Sequence, residues 1–294
     1  MCGRYTIGTT DPGAFDLRFG GNVDIGALGR YNVAPTEPVP VVLGPAAAER
    51  AASAAPADAT PATPTPTRTT VNASWGLLPP WARSRRERLK PINARAEELA
   101  SKKLFAPLLD DAAHRVLVLA DGWYEWLKAE DQKRTGPSRV PFHHRVDGGG
   151  PIAFAGLLRT VRVDASEPGP AGFEALEPTV RAGGVTGGRV PLRTVTVVTC
   201  AANRVAARLH DRMPVVLGGP EEEAAWLDPA VSGADALGLL VPLADERLTI
   251  APASPLVNKV DPEHDGPYLL DPTVTEVPGA PTQQRLDLAE PGGG

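Results

Sequence analysis

Short apolar runs, cut off by glycine, aspartate or proline, dominate the chain. Val39-Pro40-Val41-Val42-Leu43, Arg115-Val116-Leu117-Val118-Leu119-Ala120, Ile152-Ala153-Phe154-Ala155-Gly156-Leu157 and Thr194 to Cys200 have strand length and are rich in β-branched residues. Helical spacing fits Asp11 to Phe19, Ala94 to Lys103, Ala201 to Leu209 and Pro220 to Leu227. In the second of these, Asn93 stands at the N-cap position, with Glu97 and Glu98 in the first turns. Strands and helices do not alternate regularly, which argues against a doubly wound parallel sheet and predicts a mixed α+β fold. No run of 18 apolar residues exists, so no membrane-spanning helix is expected. The opening Met1-Cys2-Gly3-Arg4-Tyr5-Thr6 lacks the apolar core of a secretory signal, and a cytoplasmic protein is expected.

Two segments interrupt this pattern. Residues 44–70 are Ala, Pro or Thr at 21 of 27 positions, and 164–191 hold six Gly and four Pro in 28. Neither has the apolar periodicity that would offset the entropy of ordering it, so both are expected to be mobile inserts. The tail from about Pro272 ends in three glycines and is expected to fray. One domain, 1–271, carrying both inserts, is the predicted organisation, with 272–294 as a disordered tail.

Composition sharpens this. The 30 Gly and 32 Pro among 294 residues are too many for a helical bundle. The net charge of −5 conceals an asymmetry: residues 219–294 hold 14 acidic and 3 basic side chains, a net −11, which leaves +6 on residues 1–218. Within that basic body, 71–103 has eight Lys or Arg against three Glu, beside Trp75 and Trp81. Guanidinium groups for phosphates and flat rings for bases suit a single-stranded nucleic acid, although a solvated charged face over core tryptophans has the same composition. Two cysteines and five scattered histidines give neither a disulfide framework nor metal-ligand spacing, so no metal or other cofactor is expected.

Candidate chemistry lies in short stretches dense in polar and aromatic residues. Cys2 becomes the N-terminus if Met1 is removed, which sets an amine and a thiol on adjacent carbons. Their reference pKa values are about 7.7–8.0 and about 8.5, so both nucleophiles are available near neutral pH. Such an aminothiol condenses with an aldehyde to an imine and then closes to a thiazolidine. Cysteine at position 2 is otherwise incidental. Glu125 lies among Trp123, Tyr124 and Trp126, where poor solvation favours general acid–base work over a water-facing role. His210, before Asp211 and Arg212, is either a satisfied structural residue or a proton donor. Asn93 supplies an amide able to donate and accept. Cys200, ending a strand, reads as a buried apolar residue.

Taken in order, Met1 to Tyr5, Arg30-Tyr31-Asn32-Val33-Ala34-Pro35, Trp75-Gly76, Ile92 to Glu97, Ala120 to Trp126, Phe154 to Leu157, Leu209 to Pro214 and Pro255 to Asn258 resemble the SOS response-associated peptidase family, whose members process abasic sites in DNA. Each stretch alone is weak, and the ordered set is specific. The resemblance implies a mostly antiparallel, bifurcated sheet forming a pseudo-barrel with peripheral helices. It implies Cys2 as the nucleophile that bonds the ring-opened sugar, Asn93 as an orienting amide, Glu125 as a proton shuttle and His210 as an aid to ring opening. It further implies that Arg4, Asn32, Arg95, Thr199 and Arg212 contact phosphates, with Trp81 and Trp126 stacking beside the lesion. The implied partner is single-stranded DNA containing abasic sites, bound by a monomer that is cytoplasmic and nucleoid-associated during DNA damage. Trp81 is followed by Ala82 rather than a second aromatic, which departs from the simplest family pattern. Two other readings stay open at this level: a cysteine peptidase or amidase with Cys2 as N-terminal nucleophile, self-processing in its minimal form, and a non-catalytic single-strand-binding module.

Overall fold

The computed structural model describes residues 2–20, 28–53, 68–127, 140–164 and 188–278. Strand β1 (Tyr5–Ile7) leads to helix α1 (Pro12–Phe19), then β2 (Arg30–Val33), β3 (Pro38–Leu43), α2 (Pro45–Ser53), β4 (Thr69–Trp75) and β5 (Asn93–Arg95). Next come α3 (Ala106–Asp110), β6 (Arg115–Ala120), β7 (Gly122–Trp126), β8 (Pro141–Val146), and two thirteen-residue strands, β9 (Ile152–Asp164) and β10 (Arg189–Ala201). The remaining elements are β11 (Arg212–Pro214), α4 (Pro220–Leu227), α5 (Gly233–Leu237) and β12 (Leu248–Pro252).

Five strands form one sheet in the order β12-β8-β7-β1-β2. In the second sheet β10, β4, β3, β6 and β9 follow one another, and β9 pairs back onto β10 to close the ring. Pairing is antiparallel except where β10 meets β4 and β5. The result is the expected α+β pseudo-barrel with helices outside. β10 is the branch point: it pairs with β9 over Arg189 to Val197, with β4 at Thr194 and Val195, with β5 at Val197 to Thr199 and with β11 at Thr199 to Ala201.

All six residues of β3 and of β6 are buried, which explains their unbroken apolar runs in place of alternation. Trp226 of α4 packs on this wall and donates its indole N–H to the Val116 carbonyl at 3.0 Å. The two sheets meet through a cluster of rings. Tyr5 lies edge-on to Trp75 (centroids 5.3 Å) and Phe154 (5.9 Å), and Phe154 meets Trp123 at 6.0 Å. Phe154 is fully buried at this junction. Phe154→Ala is therefore expected to lower unfolding free energy by about 3–5 kcal/mol, read from urea titration.

Local signals placed α1, α4 and the β6 core correctly. Asp11 caps α1 by accepting the Gly13 amide at 2.8 Å, and Pro220 opens α4 with three glutamates in its first turn. Two helix expectations fail. Asn93 is no N-cap: Asn93 to Arg95 pair in parallel with β10, and only a 3-10 turn, Ala96–Glu98, follows. Sheet pairing outweighs the helical propensity of this stretch. Residues 201–209 hold only the 3-10 turn Ala206–Arg208, because Asn203 accepts the Ala206 amide at 2.8 Å and donates to the Leu243 carbonyl at 2.9 Å. The expected insert 44–70 begins as helix α2 and ends in β4, and the one expected at 164–191 is flanked by the paired ends of β9 and β10; positions 54–67 and 165–187 lie outside the described residues. Within the stretch expected as tail, Val274 and Val277 pack against the cluster around Tyr124, and 279–294 lie outside the described residues. Among the described residues, no helix is long and apolar enough to cross a membrane.

Candidate active site

The segment before β1 is laid against β7. Tyr5 pairs with Trp123 and Thr6 with Gly122, and the Tyr124 amide donates to the Arg4 carbonyl at 3.0 Å. Continued outward, that register brings residue 3 opposite Glu125. Cys2 is fully buried, its Sγ lies 3.7 Å from the Arg4 carbonyl, and Asn93 Nδ2 donates to the Cys2 carbonyl at 2.7 Å. Burial, and secondarily the Glu125 charge, push the Cys2 thiol far above the ordinary thiol range. Glu125 itself is only 3% exposed. Asn93 Oδ1 is buried with no hydrogen-bond partner among the described residues. An unmet buried acceptor costs about 1–3 kcal/mol, so it marks a place where a polar ligand group gains by binding. A thiol, a carboxylate and an amide thus converge where three separate elements meet.

A second group is built on β10. Thr199 lies opposite Arg95 of β5 on one side and Pro214 of β11 on the other. Arg212 reaches across to the Thr199 carbonyl (2.6 Å) and hydroxyl (3.3 Å). Both Nη atoms of Arg212 also engage Glu97, at 2.7 and 2.9 Å, and that fork holds the Glu97 carboxyl below the usual carboxylate range. His210 joins this group: its Nδ1 accepts the Arg212 amide at 3.0 Å, with the Asp211 carboxylate 3.0 Å from the same nitrogen. Arg95 is half exposed beside Glu98, at 3.8 Å.

The third group involves the chain beyond β12. Arg4 Nη1 donates to Asn32 Oδ1 (2.7 Å) and to the Val257 carbonyl (2.9 Å). Asn32 Nδ2 in turn donates to the carbonyls of Lys259 (2.8 Å) and His264 (2.7 Å). Asn32 is 3% exposed, and these bonds make it a brace for Arg4. Trp126 is likewise anchored, its Nε1 donating to Asn258 Oδ1 at 2.7 Å. Trp81 differs: 61% exposed, it is free to stack on an incoming ring.

The groups are linked along the chain: Asn93 and Arg95 share β5, and Cys2 and Arg4 share the segment before β1. Trp75 Nε1 donates to the Ile92 carbonyl at 2.9 Å, which fixes the residue preceding Asn93. A cavity bounded by Gly76, Arg85, Lys90 and Thr194 opens beside it. Gly76 adopts a φ of 139°, open to glycine and strained for other residues. Sequence reasoning missed Glu97 as the partner of Arg212. It also missed the backbone carbonyls of Val257, Lys259 and His264, which no residue type signals. Among the described residues no cluster of three or more His, Cys, Asp or Glu side chains is placed to hold a metal.

Comparison with known proteins comes to the same place. The family described as SOS response associated peptidase (SRAP) matches residues 1–260. The chain is 28% identical over 243 residues to the abasic site processing protein YoqW of Bacillus subtilis, covering 82% of this chain and 85% of that one. It is 29% identical over 242 residues to the abasic site processing protein YedK of Escherichia coli, covering 80% and 83%. It is 28% identical over 265 residues to the abasic site processing protein HMCES of Gallus gallus, covering 84% and 67%. A crystal structure of a Bordetella bronchiseptica protein superposes with a TM-score of 0.58 at 19% identity, over 86% of this chain and all of that one, a likeness of fold.

Proposed function

The chain belongs to the SOS response-associated peptidase family, and from that premise we propose that it captures abasic sites in single-stranded DNA as a covalent thiazolidine through Cys2, once Met1 has been removed. The observation that carries this reading is the meeting of Asn93 and Glu125 on a buried Cys2. The relatives' own designation as abasic site processing proteins supports the lesion as substrate.

The abasic sugar is mostly a closed hemiacetal, and His210 assists its opening to the aldehyde. The neutral amine of Cys2 adds to that carbon. Glu125 relays the two protons that nitrogen loses to the departing oxygen in turn, the first giving a hydroxyl on the carbinolamine and the second the water that leaves, so that an imine remains. The thiol then adds across the C=N bond: sulfur bonds to carbon, and the thiol proton ends on nitrogen through Glu125. Asn93 holds the Cys2 carbonyl with its N–H, while its open Oδ1 receives a sugar or amine hydrogen. Enclosure of all three reacting groups replaces a bimolecular encounter. A missing base removes the need to extrude one from a stack. Arg4, Arg95, Thr199 and Arg212 line the backbone path, and Trp81 and Trp126 flank the lesion.

The peptidase reading requires a thiolate, and a thiol pushed upward by burial and a neighbouring carboxylate is badly suited to that. A deciding experiment mixes Met1-processed protein with an oligonucleotide bearing one abasic site and measures intact mass. A heat-stable adduct lighter than the sum by one water is expected, and no adduct from folded, processed protein refutes the reading. Arg212→Ala is expected to weaken binding to single strands of any sequence about tenfold and to lower the log–log salt slope by about 0.7, measured by anisotropy titration.

A further inference from the structure

Asp121 belongs to the Ala120 to Trp126 stretch, yet the chemistry above leaves it unused. Its carboxylate accepts Thr6 Oγ1 at 2.5 Å through Oδ1, and the Thr9 amide (2.9 Å) and hydroxyl (3.2 Å) through Oδ2. Thr6 Oγ1 also lies 3.0 Å from His143 Nε2. A hydroxyl has one hydrogen, and a carboxylate can only accept, so the Thr6 hydrogen goes to Asp121 and His143 must donate from Nε2. Burial, with Arg145 and His144 nearby, lowers the His143 pKa to about 3, so the ring is neutral at physiological pH and carries a single N–H. The line of donors is therefore His143 to Thr6 to Asp121. It is closely fitted: a Cβ on Gly122 would stand 2.4 Å from His143 Nε2 and 2.6 Å from the His144 carbonyl oxygen. Only glycine lets the imidazole lie there.

The place of this line matters. β1 is three residues long, and its register with β2 shifts between Tyr5 and Ile7, so β2 imposes no single alignment. Its ladder with β7 is short. Tyr5 and Thr6 are the paired residues, bordered by the Tyr124 amide on the Arg4 carbonyl (3.0 Å) and the Asp121 amide on the Thr6 carbonyl (2.9 Å), so this line of side chains adds to a backbone hold of few bonds. A one-residue slip would turn every β1 side chain to the opposite face. Thr6 of β1 lies four residues after Cys2, and Asp121, just before β7, lies four residues before Glu125 of that strand. Locking Thr6 to Asp121 therefore fixes how far along β7 the N-terminal segment extends, and with it the separation of Cys2 from Glu125.

We infer that Asp121, Thr6 and His143 are positioning residues for the reaction, a side-chain lock on the register of β1 that sets Cys2 against Glu125 and Asn93. The inference rests on the proposed capture chemistry for its kinetic consequence and on the geometry alone for its structural one. The test uses the full, Met1-processed chain with Thr6→Val, which keeps shape and β-branching and removes the hydroxyl, and Thr6→Ser, which restores it. Initial rates of adduct formation are measured alongside amide hydrogen exchange over residues 2–7. Thr6→Val is expected to slow the adduct about tenfold and speed exchange in that segment at least about tenfold. Its affinity for an oligonucleotide with a non-reactive tetrahydrofuran site should stay within about twofold, and Thr6→Ser should keep at least half the wild-type rate. Adduct rate and exchange both unchanged in Thr6→Val overturn the inference, as does a Thr6→Ser chain as slow as Thr6→Val. If wild type forms no adduct, the function falls and the exchange measurement alone decides the lock: faster exchange sustains it, and unchanged exchange overturns it. If Thr6→Val does not fold, Asp121→Ala takes its place with the same expected outcomes, because it removes the acceptors of both Thr6 and Thr9.

Discussion

Cys2→Ser leaves no heat-stable adduct with an abasic oligonucleotide, a loss expected to exceed about 10³-fold in yield per unit time. The variant retains the α-amine, so it still forms an imine. Serine's hydroxyl closes only an oxazolidine, which water readily reopens. The two stages are thus separable in one experiment. Borohydride added during the incubation reduces the imine and traps the Cys2→Ser chain on DNA, whereas without borohydride the denaturing gel shows free protein. The wild type gives a heat-stable band under both conditions. A Cys2→Ser chain that is heat-stable without reduction refutes ring closure by sulfur. One that cannot be trapped refutes attack by the amine. The buried location of Cys2, with its carbonyl held by Asn93, is close to isosteric for serine, so the fold should survive.

Glu125→Gln is expected to slow adduct formation by about 10²–10⁴-fold, the usual worth of a positioned acid–base group. The sign of this effect discriminates between mechanisms. Burial is the main cause that holds the Cys2 thiol protonated and Glu125's negative charge adds to it, so a neutral glutamine lowers the thiol pKa while burial keeps it raised. Were thiolate the reactive species, as in a cysteine peptidase, the substitution would raise the reactive fraction and quicken the reaction. A carboxylate that carries protons between amine, leaving water and thiol predicts the reverse. Single-turnover rates of the adduct across pH 6 to 9, wild type against Glu125→Gln, settle the sign. Removing the carboxylate should flatten whatever pH dependence it confers.

The candidate site's residues were legible as a set where the proposed chemistry depends on rare side chains in order. Cys2, Asn93 and Glu125 meet, and Thr199, Arg95 and Arg212 gather on β10. The fold was legible where local signals are strong, as at Asp11-Pro12 and along the wholly apolar Val116 to Ala120. Residues 94–103 were misread because their helical propensity is real but gives way to a partner strand about a hundred positions away. The bracing of Arg4 by Asn32 was not legible, because an amide in a motif does not reveal that its N–H groups go to backbone carbonyls at 259 and 264. The lock of Thr6, Asp121 and His143 was invisible for a related reason. Its members are common residues whose meaning comes only from the pairing of β1, β7 and β8.

The family match ends at residue 260, yet the bracing of Arg4 does not. His264 lends its carbonyl to Asn32, and the Tyr31 amide donates to Asp265 at 2.5 Å, both from beyond that limit. The shared portion of the chain thus borrows part of its scaffolding from sequence outside the matched span. The two contacts differ in what they demand of that outer stretch. A backbone carbonyl serves whichever side chain accompanies it, so the hold on Asn32 tolerates any residue at 264 that keeps the chain path, whereas the hold on Tyr31 depends on the carboxylate at 265.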